Sequence, residues 1–118
     1  MYGFIRYNNH RWYLYNDSFY DRKDGKMNMD LKGYTDFIRG VCTLRKWKKD
    51  WLQGGCYIHL EVSELIEAFR GKGDPLEELG DVLFTLIAVA DYYNIDPIEA
   101  MGRSIEKHTR LLKEDGLI

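Results

Sequence analysis

The chain has 118 residues, 45% of them hydrophobic, and a formal net charge of −2 at pH 7. This length and composition predict a single domain with a modest core. The near-neutral charge argues against nucleic acid or an anionic membrane as a general partner. The two cysteines have no CxxC spacing, so a zinc or redox motif of that kind is not indicated.

The N-terminus lacks the apolar segment of a signal peptide, and the longest apolar run, residues 82–90, is too short to cross a bilayer. We therefore expect a soluble, cytoplasmic protein.

The first 33 residues differ from the rest of the chain. Between Tyr2 and Tyr15, aromatic and β-branched residues surround a polar centre, which predicts a β-hairpin. Residues 16–33 are polar and contain glycines, as is typical of a connector. Because an isolated hairpin is only marginally stable in water, we expect this one to pack on the rest of the protein or on a neighbouring subunit.

From residue 34 onward the apolar spacing becomes helical. Thr35 is the predicted cap of a first helix that ends before Gly54-Gly55, and a second helix is predicted from about Tyr57 to Arg70.

Two Asp-Pro sequences predict the starts of a third and a fourth helix. In Asp74-Pro75-Leu76-Glu77, an N-cap aspartate precedes a proline at the first helical position and a glutamate at the third. Asp96-Pro97-Ile98-Glu99 repeats this pattern. We therefore predict an all-α, four-helix domain over residues 34–118, with the hairpin and connector, residues 1–33, appended to its N-terminus.

Two acidic pairs occur at a spacing of three on consecutive predicted helices: Glu61 with Glu64, and Glu78 with Asp81. Each pair projects from adjacent turns, about 4.5 Å apart along the helix axis. The short loop of residues 70–73 predicts that the two helices are antiparallel neighbours, so that the four carboxylates converge. Without a cation they would repel one another and raise one another's pKa values. All-oxygen ligation favours a hard cation, Mg²⁺ or Mn²⁺.

Glu-x-x-Glu is also common on solvated helix faces, and one pair alone carries little information. Two pairs on consecutive helices, beside nearly continuous apolar sequence, carry more. A ferritin-like di-iron site would need Glu-x-x-His, and neither Glu61 nor Glu78 has a histidine three residues later.

The arrangement Glu61-x-x-Glu64, thirteen residues, then Glu78-x-x-Asp81 resembles the MazG-like all-α nucleoside triphosphate pyrophosphohydrolases. The segment EELGDVLFTLIAVADYYNIDPIEAM looks much like the third helix, turn and start of the fourth helix of that family. The resemblance covers roughly residues 34 to 113. It implies a dimeric or tetrameric helical enzyme, with its site near the subunit interface, that hydrolyses a nucleoside triphosphate to monophosphate and pyrophosphate.

The same resemblance implies roles for individual residues. The metal ligands and catalytic carboxylates would be Glu61, Glu64, Glu78 and Asp81. The family's fourth helix commonly carries Asn-x-Lys-x-x-Arg, of which Lys107 and Arg110 match the last two members, while Ile105 stands in place of the asparagine. Trp47 resembles the first-helix tryptophan of some relatives, and Leu60 replaces an acid that commonly precedes the first motif glutamate.

The basic residues allow more than one interpretation. Lys107 and Arg110 are suited to phosphate oxygens, and equally suited to the negative end of a helix. The segment from Arg45 to Lys49 favours either base stacking on Trp47 with phosphate steering, or contact with single-stranded nucleic acid. A single aromatic residue in a short basic patch is weak evidence for the latter.

We therefore expect Mg²⁺-dependent hydrolysis of ribo- or deoxynucleoside triphosphates. We also expect a homodimer or tetramer, because the third helix is apolar on most of its circumference and needs a larger core than this chain offers. The alternative is a non-catalytic helical module that binds a nucleotide or a protein. All four carboxylates are present, which favours the enzyme; the motif leaves the base and the sugar open.

Overall fold

The computed structural model describes residues 30–47 and 50–118 in full, preceded by the backbone of four short strands. Strand β1 (Phe4–Tyr7) pairs antiparallel with β2 (Arg11–Leu14), and β3 (Tyr20–Asp21) pairs antiparallel with β4 (Lys26–Met27). The loop and side chains of the predicted hairpin lie outside the described residues. The appended hairpin, its role and the domain division therefore stay predictions.

Four helices make up the described part from residue 30 onward, which confirms the all-α prediction there. They are α1 (Leu31–Leu44), α2 (Trp51–Phe69), α3 (Pro75–Tyr92) and α4 (Pro97–Glu114). None of these helices combines the length and the apolar character needed to cross a membrane.

An aspartate caps each of the four helices. The carboxylates of Asp30, Asp50, Asp74 and Asp96 each accept a hydrogen bond from a backbone N–H of the first turn, at 2.8–3.0 Å. A short acceptor at the N-cap satisfies one of the N–H groups that lack a partner within the helix. The two starts predicted from Asp-Pro sequences are confirmed.

The second helix ends at Phe69, next to the predicted Arg70, but the other predicted limits of the first two helices are wrong. Helix α1 begins at Leu31, ahead of the predicted boundary, and Thr35 lies inside it, where its hydroxyl donates to the carbonyl of Leu31. Gly54-Gly55 do not end a helix but lie inside α2. A β-carbon at Gly54 would lie 3.1 Å from Cγ2 of Val89, so this glycine allows α2 and α3 to approach closely.

Helices α2 and α3 pack antiparallel, as the short loop predicted. Gly73 lies against Ala68, Glu61 lies beside Asp81, and Gly54 lies against Val89. Residue numbers along α2 thus fall as residue numbers along the loop and α3 rise. This register brings the two acidic pairs to the same level.

An ion pair fixes α1 to the end of α3. The Arg39 guanidinium donates from Nε to both carboxylate oxygens of Asp91, at 2.9 and 2.8 Å, and also contacts Asp91 through Nη2. The hydrogen bond with Asp91 raises the pKa of Arg39. Such a bidentate pair fixes both position and orientation.

The described core is small and leaves large apolar side chains on the surface. Its buried apolar residues are Ile38, Ala68, Val82 and Ala88. On α3, Leu83 is 51% exposed, and α4 has no buried residue at all, with Ile105 at 59%. The described residues therefore leave the apolar faces of α3 and α4 uncovered.

Candidate functional site

Three of the four predicted carboxylates meet between α2 and α3. One oxygen each from Glu61, Glu78 and Asp81, the acidic cluster below, lies within 4.8 Å of the others. Glu64, one turn after Glu61, is exposed but close enough to interact electrostatically with both glutamates. The arrangement offers a cation several oxygen ligands from two helices, a donor set that suits Mg²⁺ or Mn²⁺.

In the described part of the chain, one oxygen of Glu61 and one of Glu78 lack a hydrogen-bond partner. Oε2 of Glu61 and Oε2 of Glu78 are shielded from solvent, and neither has a hydrogen-bond partner within residues 30–47 and 50–118. Leaving a buried acceptor unpaired is costly, and more so when it carries charge. A bound cation would satisfy both oxygens at once.

The pKa values of Glu61 and Glu78 are raised. Desolvation is the main cause for both groups, and the nearby charges of Glu64 and Asp81 add to it. The folded protein therefore disfavours the charged forms of these carboxylates when no cation is present.

These raised pKa values determine how stability should vary with pH. The folded state holds protons on Glu61 and Glu78 more tightly than the unfolded state does, so this contribution to metal-free stability falls as pH rises above the ordinary carboxyl value of 4.5. A cation competes with those protons. We therefore expect Mg²⁺ to raise the thermal midpoint more near pH 8 than near pH 5. At a free concentration of a hundred times its Kd, Mg²⁺ should add about 2.7 kcal/mol to the free energy of unfolding.

Thermal unfolding followed by circular dichroism, with and without Mg²⁺ across this pH range, measures the effect. The control is Glu78→Gln, which should raise metal-free stability near pH 8 and remove most of the Mg²⁺ effect. An equal effect of Mg²⁺ at both pH values would contradict the assignment of these carboxylates as ligands.

A groove of about 710 Å³ opens beside the acidic cluster. We call it the linker groove, since residues of the α1–α2 linker form one wall. Lys46 has a left-handed backbone (φ 52°) just after α1, and half-buried Trp47 follows it. The Trp47 ring meets the Tyr57 ring edge to face, with the centroids 5.4 Å apart. The groove is lined by Val41, Cys42, Arg45, Lys46, Trp47, Gln53, Tyr57, Glu61, Asp81, Phe84 and Thr85.

Trp47 thus lies in the same groove as two of the predicted carboxylates, whereas Lys107 and Arg110 do not line it. Both cations are exposed on α4, where Nε of Arg110 lies 3.7 Å from Oε1 of Glu114. Their helical positions put them opposite the apolar stripe of that helix. In the single chain α4 makes no extensive contact with the other helices, so phosphate contact by these two residues stays a prediction.

Sequence reasoning left several groove residues without a role. Tyr57 and Gln53 precede Glu61 by four and eight residues, a spacing that places them on nearly the same face of α2. This spacing was a usable signal, but the misplaced helix boundary at Gly54-Gly55 removed Gln53 from that helix. Thr85 follows Asp81 by four residues on α3, a spacing that puts it on nearly the same face, and it was likewise left without a role.

No family model matches this chain, and neither a curated protein nor a solved structure shows significant similarity to it. The resemblance to the MazG-like family therefore rests on the motif residues alone.

Proposed function

We propose that this protein is a Mg²⁺-dependent nucleoside triphosphate pyrophosphohydrolase, which releases pyrophosphate and a nucleoside monophosphate. The observation that carries the proposal is the pair of shielded, unpartnered oxygens of Glu61 and Glu78 beside Asp81. Glu61 and Asp81 also line a groove that contains cationic and aromatic side chains. Support for the proposal therefore comes from local chemistry.

The acidic cluster is the part that would hold the metal. Mg²⁺ bound there would neutralise phosphate charge and lower the pKa of a bound water. Glu61, Glu78 and Asp81 supply its oxygen ligands in this proposal, and Mn²⁺ can take the same donor set. Exposed Glu64, outside the tight group, accepts the proton of the water that adds to phosphorus as pyrophosphate leaves.

Among the described residues, the cations that line this groove are Arg45 and Lys46 of the linker. Since they share the groove with Glu61 and Asp81, we assign them to the phosphate chain, where arginine can make bidentate contacts. Lys107 and Arg110 would join them only through a rearrangement of α4 or from a second subunit.

A homodimer or tetramer is part of the proposal. On α3, Leu79, Leu83 and Leu86 form an exposed apolar stripe. A second stripe on α4 contains Ile98, Met101, Ile105 and Leu112. Exposed apolar faces of this extent are characteristic of protein interfaces. We place the protein in the cytoplasm, where nucleoside triphosphates are available.

The deciding experiment is a screen for pyrophosphate release from the ribo- and deoxynucleoside triphosphates with Mg²⁺. We expect at least one substrate to yield monophosphate and pyrophosphate in equal amounts, with the activity lost on chelation. Metal-dependent binding of a triphosphate without turnover would instead support the non-catalytic nucleotide-binding module. If the protein neither binds nor hydrolyses any nucleotide, the proposed function is rejected.

A further inference from the structure

The geometry points to the linker groove as the nucleoside site, in which Gln53 reads the edge of the base and Thr85 contacts the sugar. This inference rests on the proposed function, because it takes the acidic cluster as the place of the phosphates. It extends that function from phosphate chemistry to the selection of the nucleoside.

Helix α2 arranges three groove residues in a row. Glu61, Tyr57 and Gln53 are four residues apart, so Tyr57 lies about 6 Å and Gln53 about 12 Å along the axis from the acidic cluster. Helix α3 runs the other way, and Thr85 follows Asp81 by one turn, at the level of Tyr57. The groove therefore runs from an acidic end at Glu61 and Asp81, past Tyr57 and Thr85, to a far end at Gln53.

A nucleotide has the same order of parts, because its sugar lies between the phosphate and the base. With the phosphates at Glu61 and Asp81, the sugar falls at the level of Tyr57 and Thr85, and the base extends toward Gln53. Trp47 stands beside Tyr57 in this groove. Aromatic contact stabilises any base, since every base has a π face, so these two rings provide affinity without selecting a base.

Selection requires polar groups with free hydrogen-bonding capacity. Gln53 is half-buried, and its amide makes no hydrogen bond within the described part of the chain. An amide can both donate and accept, and can therefore match a base edge that presents both kinds of group.

Thr85 has free capacity of the same kind. It is only 6% exposed, yet it lines the groove. The hydroxyls of Thr35, Thr43 and Thr109 each donate to the carbonyl four residues earlier, whereas no such bond is formed by Thr85 within residues 30–47 and 50–118. Its hydroxyl is left for a ligand, and a sugar hydroxyl is the group at this level.

The test measures binding of nucleoside monophosphates by isothermal titration calorimetry, on the full chain with Mg²⁺. The base arm compares dCMP with dTMP. Gln53→Glu leaves only an acceptor, which suits the amino group of cytosine and not the carbonyl of thymine. We expect the Kd ratio to shift about two- to tenfold toward dCMP, the range of one net hydrogen bond. Gln53→Ala should weaken both ligands, and serves if Gln53→Glu fails to fold.

The sugar arm compares dCMP with its 2′,3′-dideoxy counterpart. Removal of the 3′-hydroxyl should weaken binding to the unaltered protein by about two- to tenfold. In Thr85→Val the two ligands should bind alike, and Thr85→Ser should restore the difference. Thr43→Val, whose hydroxyl is already bonded within α1, is the matched control and should preserve the difference.

Unchanged ratios in folded variants, with Mg²⁺-dependent hydrolysis intact, would overturn this inference and leave the proposed function standing. Shifted ratios in a protein that hydrolyses no triphosphate would support the nucleoside site and reject the enzyme. The two failures are therefore distinguishable.

Discussion

Glu78→Gln and Asp81→Asn should each lower pyrophosphate release from the best substrate by about a hundred- to a thousandfold or more, the scale on which loss of one electrostatic group acts in an active site. Both substitutions nearly preserve side-chain shape but remove a charge from the acidic cluster. The cation then loses an anionic ligand, and the phosphates lose the charge neutralisation that it brings. Steady-state assays of pyrophosphate release over a range of Mg²⁺ concentrations measure the loss.

The fold should survive both changes. In the metal-free protein the carboxylates repel one another and Glu78 is desolvated, so removing one charge should maintain or raise the thermal midpoint. Glu77→Gln is the matched control: it alters the neighbouring carboxylate in the same first turn of α3. It should retain turnover and cost at most about 0.5–2 kcal/mol of stability, the range of capping interactions. Full activity in Glu78→Gln would contradict a role of the acidic cluster in hydrolysis.

Ile105→Glu should convert the proposed homodimer or tetramer into monomers at micromolar concentration. Ile105 is 59% exposed in the single chain and lies in the apolar stripe of α4 with Ile98 and Met101. Stable interfaces commonly bury about 1,200–2,000 Å², and a buried unpaired carboxylate at such a site is strongly unfavourable. Size-exclusion chromatography with light scattering measures the mass directly.

Arg103→Glu is the control for that change. It introduces the same side chain on the same helix, but on the polar face, where Arg103 pairs with Glu99. This variant should keep the oligomer. If the unaltered protein is already a monomer in light scattering, the exposed stripes on α3 and α4 have another role and the assembly proposal is wrong.

Much of the fold was predictable because the signals are local. The Asp-Pro starts of α3 and α4 follow from capping chemistry within four residues, and the short loop after α2 implies antiparallel packing. The convergence of Glu61, Glu78 and Asp81 follows from that packing and the spacing of three.

The parts that were missed depend on tertiary contacts. Gly54 stops a helix by local propensity, but here it allows contact with Val89, and packing outweighs the propensity. The Arg39–Asp91 pair joins residues far apart in sequence, and no local pattern indicates it. Gln53 was missed because the same boundary assigned it to the end of the first helix, and not to the helix that carries Glu61.

The close approach at Gly54 also has a consequence for how the chain can vary over evolution. A β-carbon there would press on Val89, so a larger residue at one position requires a smaller residue at the other. The two positions should therefore change together, for instance Gly54→Ala accompanied by Val89→Ala. This contact lies on the two helices that carry Glu61 and Asp81. Related sequences that keep those acidic residues should therefore also conserve the summed side-chain volume at positions 54 and 89.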